Sequence, residues 1–211
     1  MAQSTEYRNQ KRKLKRHIDA IAASDRDVAR AVEEVGYPEP RLRDTGFETF
    51  LSIIVSQQVS TEAAASIWQK VCTTLPKMTP KKVAGCKPEV LRGAGLSGRK
   101  VEYAQGLAHA ILNKEFNPDE LPEMSDEQVL QQIVGLRGFG PWSAEIYLMF
   151  SLQRADVFAA DDLALQIALQ RLKGLAEKPS GKQARQLVEH WAPRRTAGSL
   201  FLWHYYRGAP A

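Results

Sequence analysis

Hydrophobic and polar residues follow one another along this chain with the spacing of α-helices almost everywhere. The clearest example is a stripe at positions i, i+3, i+4, i+7 and i+8, formed by Phe47, Phe50, Leu51, Ile54 and Val55. The sequence shows no convincing run of the strict apolar–polar alternation that is typical of strands. The pattern therefore predicts an all-α fold.

Residues that favour helix N-caps indicate where several of these helices begin. They are Ser24 or Asp25, Ser60, Ser97 and Ser125. Ser125 with Gln128 also has the spacing of a capping box. Near the end of the chain the periodicity predicts three more helices, at 163–172, 181–189 and 197–206.

The composition limits the classes of protein to consider. The chain has 211 residues, 44% of them hydrophobic, which suits one or two compact units with a full core. Its formal net charge of +5 favours an anionic partner. Cys72 and Cys86 are too few for a disulfide framework, a zinc site or an iron–sulfur cluster. We find neither a membrane-spanning apolar run nor a signal peptide and expect a cytoplasmic protein.

The segment from Leu136 to Ala144 places two glycines between two apolar helices. Gly138 and Gly140 allow a sharp turn and a close approach of the backbone to another surface. Because a helix begins directly afterwards, its free N–H groups and the positive end of its dipole suit a phosphate. We therefore expect Gly138, Phe139, Gly140 and Ser143 to bind the backbone of a nucleic acid.

Three other segments accompany this hairpin: Ile54–Ala65, Val157–Leu163 and Trp191–Trp203. Together the four segments resemble the helix-hairpin-helix-GPD superfamily of DNA glycosylases, and within it the 3-methyladenine DNA glycosylase II family. The resemblance runs from about Phe47 to Trp203. Larger members carry an additional N-terminal mixed domain, and this chain looks like a compact form that holds only the helical core.

This resemblance implies a single glycosylase unit over 1–211, made of two helical lobes with the active-site cleft between them. The central lobe is expected at about 56–159, and the second lobe at about 17–55 plus 160–211. Residues 1–16 form a basic segment. That segment is either an arm that contacts DNA, or a solvated helix end or disordered arm.

The resemblance also places the catalytic carboxylate at Asp162, directly before the apolar helix start Leu163. A carboxylate near C1′ stabilises the positive charge that develops on the sugar as the base leaves. Asp161 is the alternative. Both residues are equally good N-caps for the following helix, which is the purely structural interpretation.

Other site residues are likewise implied by the resemblance. Trp203 matches an aromatic residue of the base pocket, in which Asp161 also lies. Trp142 walls the pocket or packs in the core, and Ile146 stands where larger members have a second pocket aromatic. Tyr147 and Phe158 are further pocket or core residues. At the helix junction, Gln57, Gln58 and Ser60 contact DNA. Gln58 either fills the gap left by the flipped nucleotide or is an ordinary polar residue at a helix end.

The position of Trp142 bears on the reaction type. Relatives that also cut the strand have a nucleophilic lysine there, and an indole cannot form a Schiff base. The sequence thus predicts a DNA N-glycosylase without lyase activity, a hydrolase that excises alkylated purines such as 3-methyladenine from duplex DNA in base-excision repair. It requires no cofactor, although the carbonyls of Val134, Leu136 and Phe139 match a Na⁺ or K⁺ site of relatives.

We expect a monomer that acts on damaged double-stranded DNA in the nucleoid, with no membrane partner. Two alternatives stay open. One is a related glycosylase for deaminated or oxidised bases, which need hydrogen-bond donors in the pocket because they are poorer leaving groups. The other is a non-catalytic helix-hairpin-helix DNA-binding module, which needs the hairpin but neither the aspartate nor the pocket aromatics.

Overall fold

The computed structural model of the protein describes residues 2–208. Helices make up the regular structure of this part of the chain, with no strand in it, so the predicted all-α fold is confirmed. The α-helices are α1 (Ala2–Ala22), α2 (Arg26–Val35), α3 (Phe47–Ser56), α4 (Thr61–Thr74), α5 (Pro80–Ala84), α6 (Pro88–Gly93), α7 (Gly98–Leu112), α8 (Asp126–Val134), α9 (Pro141–Phe150), α10 (Leu163–Lys173), α11 (Gly181–Leu187) and α12 (Arg195–Gly208). Leu121–Glu123 and Glu189–Trp191 form short 3-10 helices.

The chain divides into two compact units. The terminal unit consists of Met1–Leu42 with Gln153–Ala211, and the central unit is the continuous segment Arg43–Leu152. Two lobes were expected, but with the central lobe beginning at residue 56. The structure places the boundary before α3 instead, so this helix belongs to the central unit.

The apolar face of α3 explains this assignment. Phe50 is fully buried and stacks on Tyr147 of α9, with 4.3 Å between the ring centroids. It also meets Phe116 and Phe139 edge-on, at 5.3 and 5.7 Å. Offset-stacked and edge-to-face pairs of this kind stabilise a core beyond the area that they bury. The aromatic cluster therefore ties α3 to α9, to the glycine hairpin and to the segment that follows α7.

The core of the terminal unit joins segments from the two ends of the chain. Ile18 of α1, Phe201 of α12 and Trp191 are fully buried there. Gly198 of α12 lies directly against the indole of Trp191, and a Cβ atom at this position would overlap the ring. Only glycine lets α12 approach Trp191 so closely.

Asp25 connects several elements of the terminal unit. Its carboxylate is 4% exposed and accepts the two backbone N–H groups at the start of α2. It also accepts hydrogen bonds from Lys173 Nζ at 2.7 Å, Trp191 Nε1 at 2.8 Å and His190 Nε2 at 3.0 Å. Burial raises the pKa of Asp25, but the hydrogen bonds from Lys173 and Trp191 outweigh it and bring the pKa to about 2.

The basic segment expected at residues 1–16 is not a separate arm, because its described residues lie in α1. Leu14, Ile18 and Ile21 form one buried face in the second half of this helix, whereas the described side chains before Leu14 are largely exposed. Lys11 pairs with Glu39, and its neighbours on the same helix are largely exposed. The segment is thus helical, and its contact with DNA stays a prediction.

The predicted N-caps are confirmed. Side-chain oxygens accept backbone N–H groups of the following turn at Asp25, Ser60, Ser97 and Ser125. Ser125 and Gln128 form the reciprocal capping box. Of Ser24 and Asp25, the aspartate is the cap of α2. Local hydrogen-bonding chemistry thus fixes these helix starts as the sequence indicates.

Candidate functional site

Asp162 stands at the start of α10 in the terminal unit. Its Oδ1 accepts the backbone N–H of Leu165 at 3.0 Å, so the residue is the N-cap of the helix. The same oxygen accepts the indole N–H of Trp203 at 3.1 Å. Two fixed donors therefore orient a partly exposed carboxylate at the positive end of a helix dipole.

The structure thus brings together the two residues expected to act on the nucleotide. Trp203 lies on α12, is 8% exposed, and has its N–H edge turned to Asp162. The guanidinium of Arg41 lies over its ring, 5.5 Å from the centroid, which is a cation–π distance. The guanidinium of Arg41, itself a flat cation, thus covers a face of this indole.

Asp161 is placed differently. Its side chain is exposed, and its Oδ1 lies against the backbone of Gly181, where a Cβ atom would collide with it. The N-cap position and the hydrogen bond from Trp203 belong to Asp162 instead. Of the two carboxylates, Asp162 therefore has the more defined orientation.

The glycine hairpin lies in the central unit between α8 and α9. Gly138 has a φ of +90°, which favours glycine, and Tyr103 of α7 lies so close that a Cβ atom would overlap its ring. Among the described residues, no backbone carbonyl accepts the N–H of Gly138 or Gly140. These N–H groups stand at the start of α9, where the geometry suits a phosphate oxygen.

Two of the residues expected to bind DNA have side chains that face the protein interior. Phe139 is 6% exposed and belongs to the aromatic cluster around Phe50. Ser143 is 2% exposed, and its hydroxyl lies 3.3 Å from Gln57 Nε2. Their backbone N–H groups are also bonded within the hairpin, that of Phe139 to the carbonyl of Leu136 at 3.1 Å and that of Ser143 to the carbonyl of Gly140 at 3.0 Å.

In the junction between α3 and α4, Gln57 is hydrogen-bonded within the protein and Gln58 is exposed. Gln57 is half-buried, and its Nε2 donates to the carbonyl of Gly138 at 2.9 Å, which links the junction to the hairpin. Gln58 has an exposed side chain and a φ of +55°. Ser60 caps α4 through the N–H of Ala63 at 3.2 Å. At this junction Gln58, Val59 and Ser60 are exposed to solvent.

The other aromatic candidates divide into core and partly exposed residues. Tyr147 is fully buried on Phe50, and burial raises the pKa of its hydroxyl, so it is a core residue of the central unit. Ile146 is also buried, whereas Trp142 is half-buried at the first turn of α9. Phe158 is buried in the terminal unit. Trp142 is therefore the partly exposed one of this group.

A model of the HhH-GPD superfamily of base excision DNA repair proteins matches residues 51–194, which is more than half of the chain. The chain belongs to this superfamily. The matched range includes the junction at Gln57, the hairpin at Gly138 and the carboxylate of Asp162.

Individual superfamily members match nearly the whole chain. It is 28% identical over 210 residues to the alkylbase DNA glycosidase-like protein mag2 of Schizosaccharomyces pombe, covering 96% of this chain and 95% of mag2. The structure of S. pombe 3-methyladenine DNA glycosylase (Mag1) in complex with abasic DNA superposes with a TM-score of 0.81, at 27% identity over 90% of this chain and 95% of Mag1. A DNA-3-methyladenine glycosidase from Bacillus halodurans gives 0.72, at 30% identity over 90% and 88%.

Three site-adjacent residues of this superfamily member were not assigned from the sequence. Arg41 stacks on Trp203, Tyr103 supports Gly138, and the ammonium of Lys100 donates to the carbonyl of Val55 at 2.8 Å. Each partner lies at least 35 positions away, so neither periodicity nor a short motif reveals the pair.

No helix in the described part of the chain is long and apolar enough to span a bilayer.

Proposed function

We propose that this protein is a DNA glycosylase of base-excision repair that excises alkylated purines, 3-methyladenine above all, from duplex DNA. The observation that carries the proposal is the pairing of Asp162 with Trp203. It holds an oriented carboxylate beside an aromatic ring, and in this proposal the flat base stacks on that ring. Glycosylase relatives that match nearly the whole chain support the same reaction.

The chemistry follows from the charge on the leaving base. An N-alkylated purine is already cationic, so the glycosidic bond breaks without prior protonation, and positive charge builds on the sugar. The carboxylate of Asp162 stabilises this oxocarbenium-like state and orients the water that attacks C1′. Trp203 holds Oδ1 in place, so the carboxylate needs little reorientation during the reaction.

Stacking and cation–π attraction select the base. Trp203 supplies the aromatic face. Because Ile146 replaces an aromatic residue, the pocket depends more on Trp203. We expect the enzyme to prefer bases with weak glycosidic bonds over neutral ones such as hypoxanthine.

Binding to DNA is assigned to the hairpin and the junction. The backbone N–H groups of Gly138 and Gly140 bind a phosphate, and Gln58 enters the base stack as the damaged nucleotide rotates outwards. An amide side chain both fills space and bonds to the unpaired opposite base. Repair enzymes meet lesions in every sequence context, so a monomer with slight sequence preference suffices.

The enzyme acts without lyase activity in this proposal. Trp142 occupies the place where bifunctional relatives have a lysine, and the indole has no amine for a Schiff base. Incubation with lesion-containing duplex and borohydride should therefore trap no covalent complex, and the abasic product should break only after alkali. A trapped complex would assign lyase activity to another amine.

We also assign a monovalent cation to the hairpin. Backbone carbonyls are suitable ligands for such an ion, and Leu136 keeps one lone pair after accepting the N–H of Phe139 at 3.1 Å. With the carbonyls of Val134 and Phe139 it forms a set of donors that fits Na⁺ or K⁺. A bound ion would add positive charge where the phosphate lies. Replacing K⁺ by tetramethylammonium at constant ionic strength should weaken DNA binding if this assignment holds, and unchanged affinity would refute it.

One experiment tests the central proposal. Wild-type protein is incubated with methylated duplex DNA, and the released 3-methyladenine and 7-methylguanine are separated by chromatography. Release of 3-methyladenine by the wild type supports the proposal. Binding without release of either base would contradict it and favour a glycosylase for deaminated or oxidised bases, which the same assay tests with those substrates.

A further inference from the structure

Gln58 has a backbone conformation that its side chain does not favour. Its φ of +55° lies in the left-handed region, which residues other than glycine rarely adopt. Such a conformation persists only where neighbouring contacts fix it, and it is often found at functional positions. The contacts on either side of Gln58 therefore indicate what holds it.

Lys100 provides the contact before Gln58. Its Nζ donates to the carbonyl of Val55 at 2.8 Å, in the last turn of α3. Carbonyls in the last turn of a helix lack an intrahelical donor and carry the negative end of the dipole. The ammonium of Lys100 thus supplies, from α7, the donor and the positive charge that the end of α3 needs.

The position of Lys100 is not that of an ordinary surface lysine. Its side chain is half-buried, and burial lowers the pKa of the ammonium group. A long side chain also gives up rotamer freedom when it is held in one place. The contact with α3 must offset both the desolvation of the ammonium group and the lost rotamer freedom. This indicates a defined contact rather than a charge in solvent.

Contacts after Val55 hold the rest of the junction. Gln57 donates to the carbonyl of Gly138 at 2.9 Å, and Ser60 caps α4. The first two turns of α7 thus meet both proposed DNA-binding segments, because Tyr103 lies under Gly138 while Lys100 holds α3.

We propose that Lys100 is a positioning residue for base flipping: by holding the last turn of α3, its ammonium keeps Gln58 in the left-handed conformation that presents its side chain to the DNA stack. This inference rests on the proposed function, in which Gln58 fills the gap left by the flipped nucleotide. Lys100 acts through Gln58, so its effect should disappear when that side chain is absent.

A double-mutant cycle tests this dependence. Lys100→Met, Gln58→Ala and the double variant are compared by single-turnover release of 3-methyladenine. Insertion of the Gln58 side chain into the base stack, called the wedge below, is followed separately. Its readout is the fluorescence of 2-aminopurine beside a stable abasic analogue in duplex DNA. In the wild-type background, Lys100→Met should lower the rate of base release and the fluorescence response to insertion, each about five- to twentyfold. In the Gln58→Ala background it should change them less than about twofold.

Two further variants separate positioning from charge and from stability. Lys114→Met removes the same charge beyond the other end of α7, where the side chain is exposed, and should leave both signals unchanged. Lys100→Arg keeps a donor and should recover most of the loss. Thermal unfolding of each variant shows whether the central unit stays folded, and Lys100→Gln replaces Lys100→Met if it does not.

The possible results are distinct. An equal loss from Lys100→Met in both backgrounds, or no loss in the wild-type background, overturns the inference. If the wild type inserts its wedge but releases no alkylated purine, the proposed lesion is wrong. The fluorescence cycle alone then decides the role of Lys100.

Discussion

At the scale of single residues, the Oδ1 atom of Asp162 separates the effect of geometry from that of charge. Its hydrogen bonds from Leu165 and Trp203 both come from N–H donors, and the amide oxygen of an asparagine can accept these two. Asp162→Asn should therefore keep the fold and bind lesion-containing duplex within about twofold of the wild type, while base release falls at least about 100-fold. Single-turnover release and fluorescence anisotropy measure the two quantities.

Asp161→Asn is the comparison variant for this prediction. Its exposed carboxylate receives no hydrogen bond from Trp203, so the variant should keep most of the activity. If Asp161→Asn were inactive and Asp162→Asn active, the catalytic assignment would have to be exchanged.

Trp203 combines two functions that substitution can divide. Phenylalanine keeps an aromatic face but loses the N–H donor to Asp162. Trp203→Phe should thus lower kcat about tenfold with little change in KM, whereas Trp203→Ala should also raise KM. Steady-state release from a defined 3-methyladenine duplex measures both constants. An unchanged kcat in Trp203→Phe would show that the hydrogen bond has no catalytic role.

Sequence reasoning at this scale identified residues but not their partners. It found Asp162 and Trp203 separately, and their hydrogen bond joins positions 41 apart in the chain. It assigned Gln57 and Ser143 to DNA, whereas their side chains are hydrogen-bonded to one another within the protein. A polar residue in a motif has no signature that distinguishes a contact to ligand from a contact that supports the loop.

At the scale of elements, the hairpin depends on the absence of one Cβ atom. Gly138 combines a φ of +90° with the ring of Tyr103 directly against its Cα. Gly138→Ala should therefore lower the free energy of unfolding by about 2 kcal/mol or more and weaken DNA binding. Urea unfolding and anisotropy measure these effects.

A second variant, Tyr103→Ala, isolates the steric part of the stability lost in Gly138→Ala. Tyr103→Ala removes the ring, so adding it to Gly138→Ala should restore part of the stability but not the cost of the positive φ. If Gly138→Ala proved as stable as the wild type, the hairpin would have to adopt another conformation in solution.

The Asp25 network makes the stability of the terminal unit depend on pH. The pKa of Asp25 is lowered from 3.8 to about 2, so the folded state binds its proton less readily than the unfolded state. Its contribution, about 2 kcal/mol, is present above pH 4 and is lost as the pH falls through 3.8 towards 2. Urea unfolding between pH 6 and pH 2.5 should show this loss. For Asp25→Asn, the free energy of unfolding should be lower than that of the wild type at pH 6 and should change less with pH.

Element boundaries were predicted well where local chemistry decides them. The N-caps at Asp25, Ser60 and Ser97 were readable because a cap depends on residues within one turn. The assignment of α3 to the central unit could not be read from the sequence, because Phe116 and Tyr147, the partners of Phe50, are distant in the chain.

At the scale of the whole molecule, the charge is unevenly divided between the two units. The terminal unit has 18 lysines and arginines against 12 aspartates and glutamates, a formal net charge of +6, while the central unit has 11 against 12, or −1. Composition along the chain conceals this division, because the terminal unit is assembled from two separate segments. We therefore expect long-range attraction to DNA to come mainly from the terminal unit.

Three cations of the terminal unit are suited to this role. Burial lowers the pKa of His17, and the nearby charges of Lys13, Arg194 and Arg16 lower it further, so they form one positive region. Replacing these three by glutamine should weaken binding to every duplex and reduce the slope of log K against log salt by about 2 to 3. Discrimination between damaged and undamaged DNA should not change, because phosphate contacts carry no information about the base.

The matched control is Lys11→Gln, which removes a charge from the same helix that already pairs with Glu39. Its effect on the salt slope should be smaller than that of any one of the three. A triple variant with an unchanged slope would show that this positive region is only solvated, and the attraction would then have to come from other cations. A loss confined to damaged duplex would instead place the cluster at the lesion, since only a group near the flipped nucleotide can distinguish the two substrates.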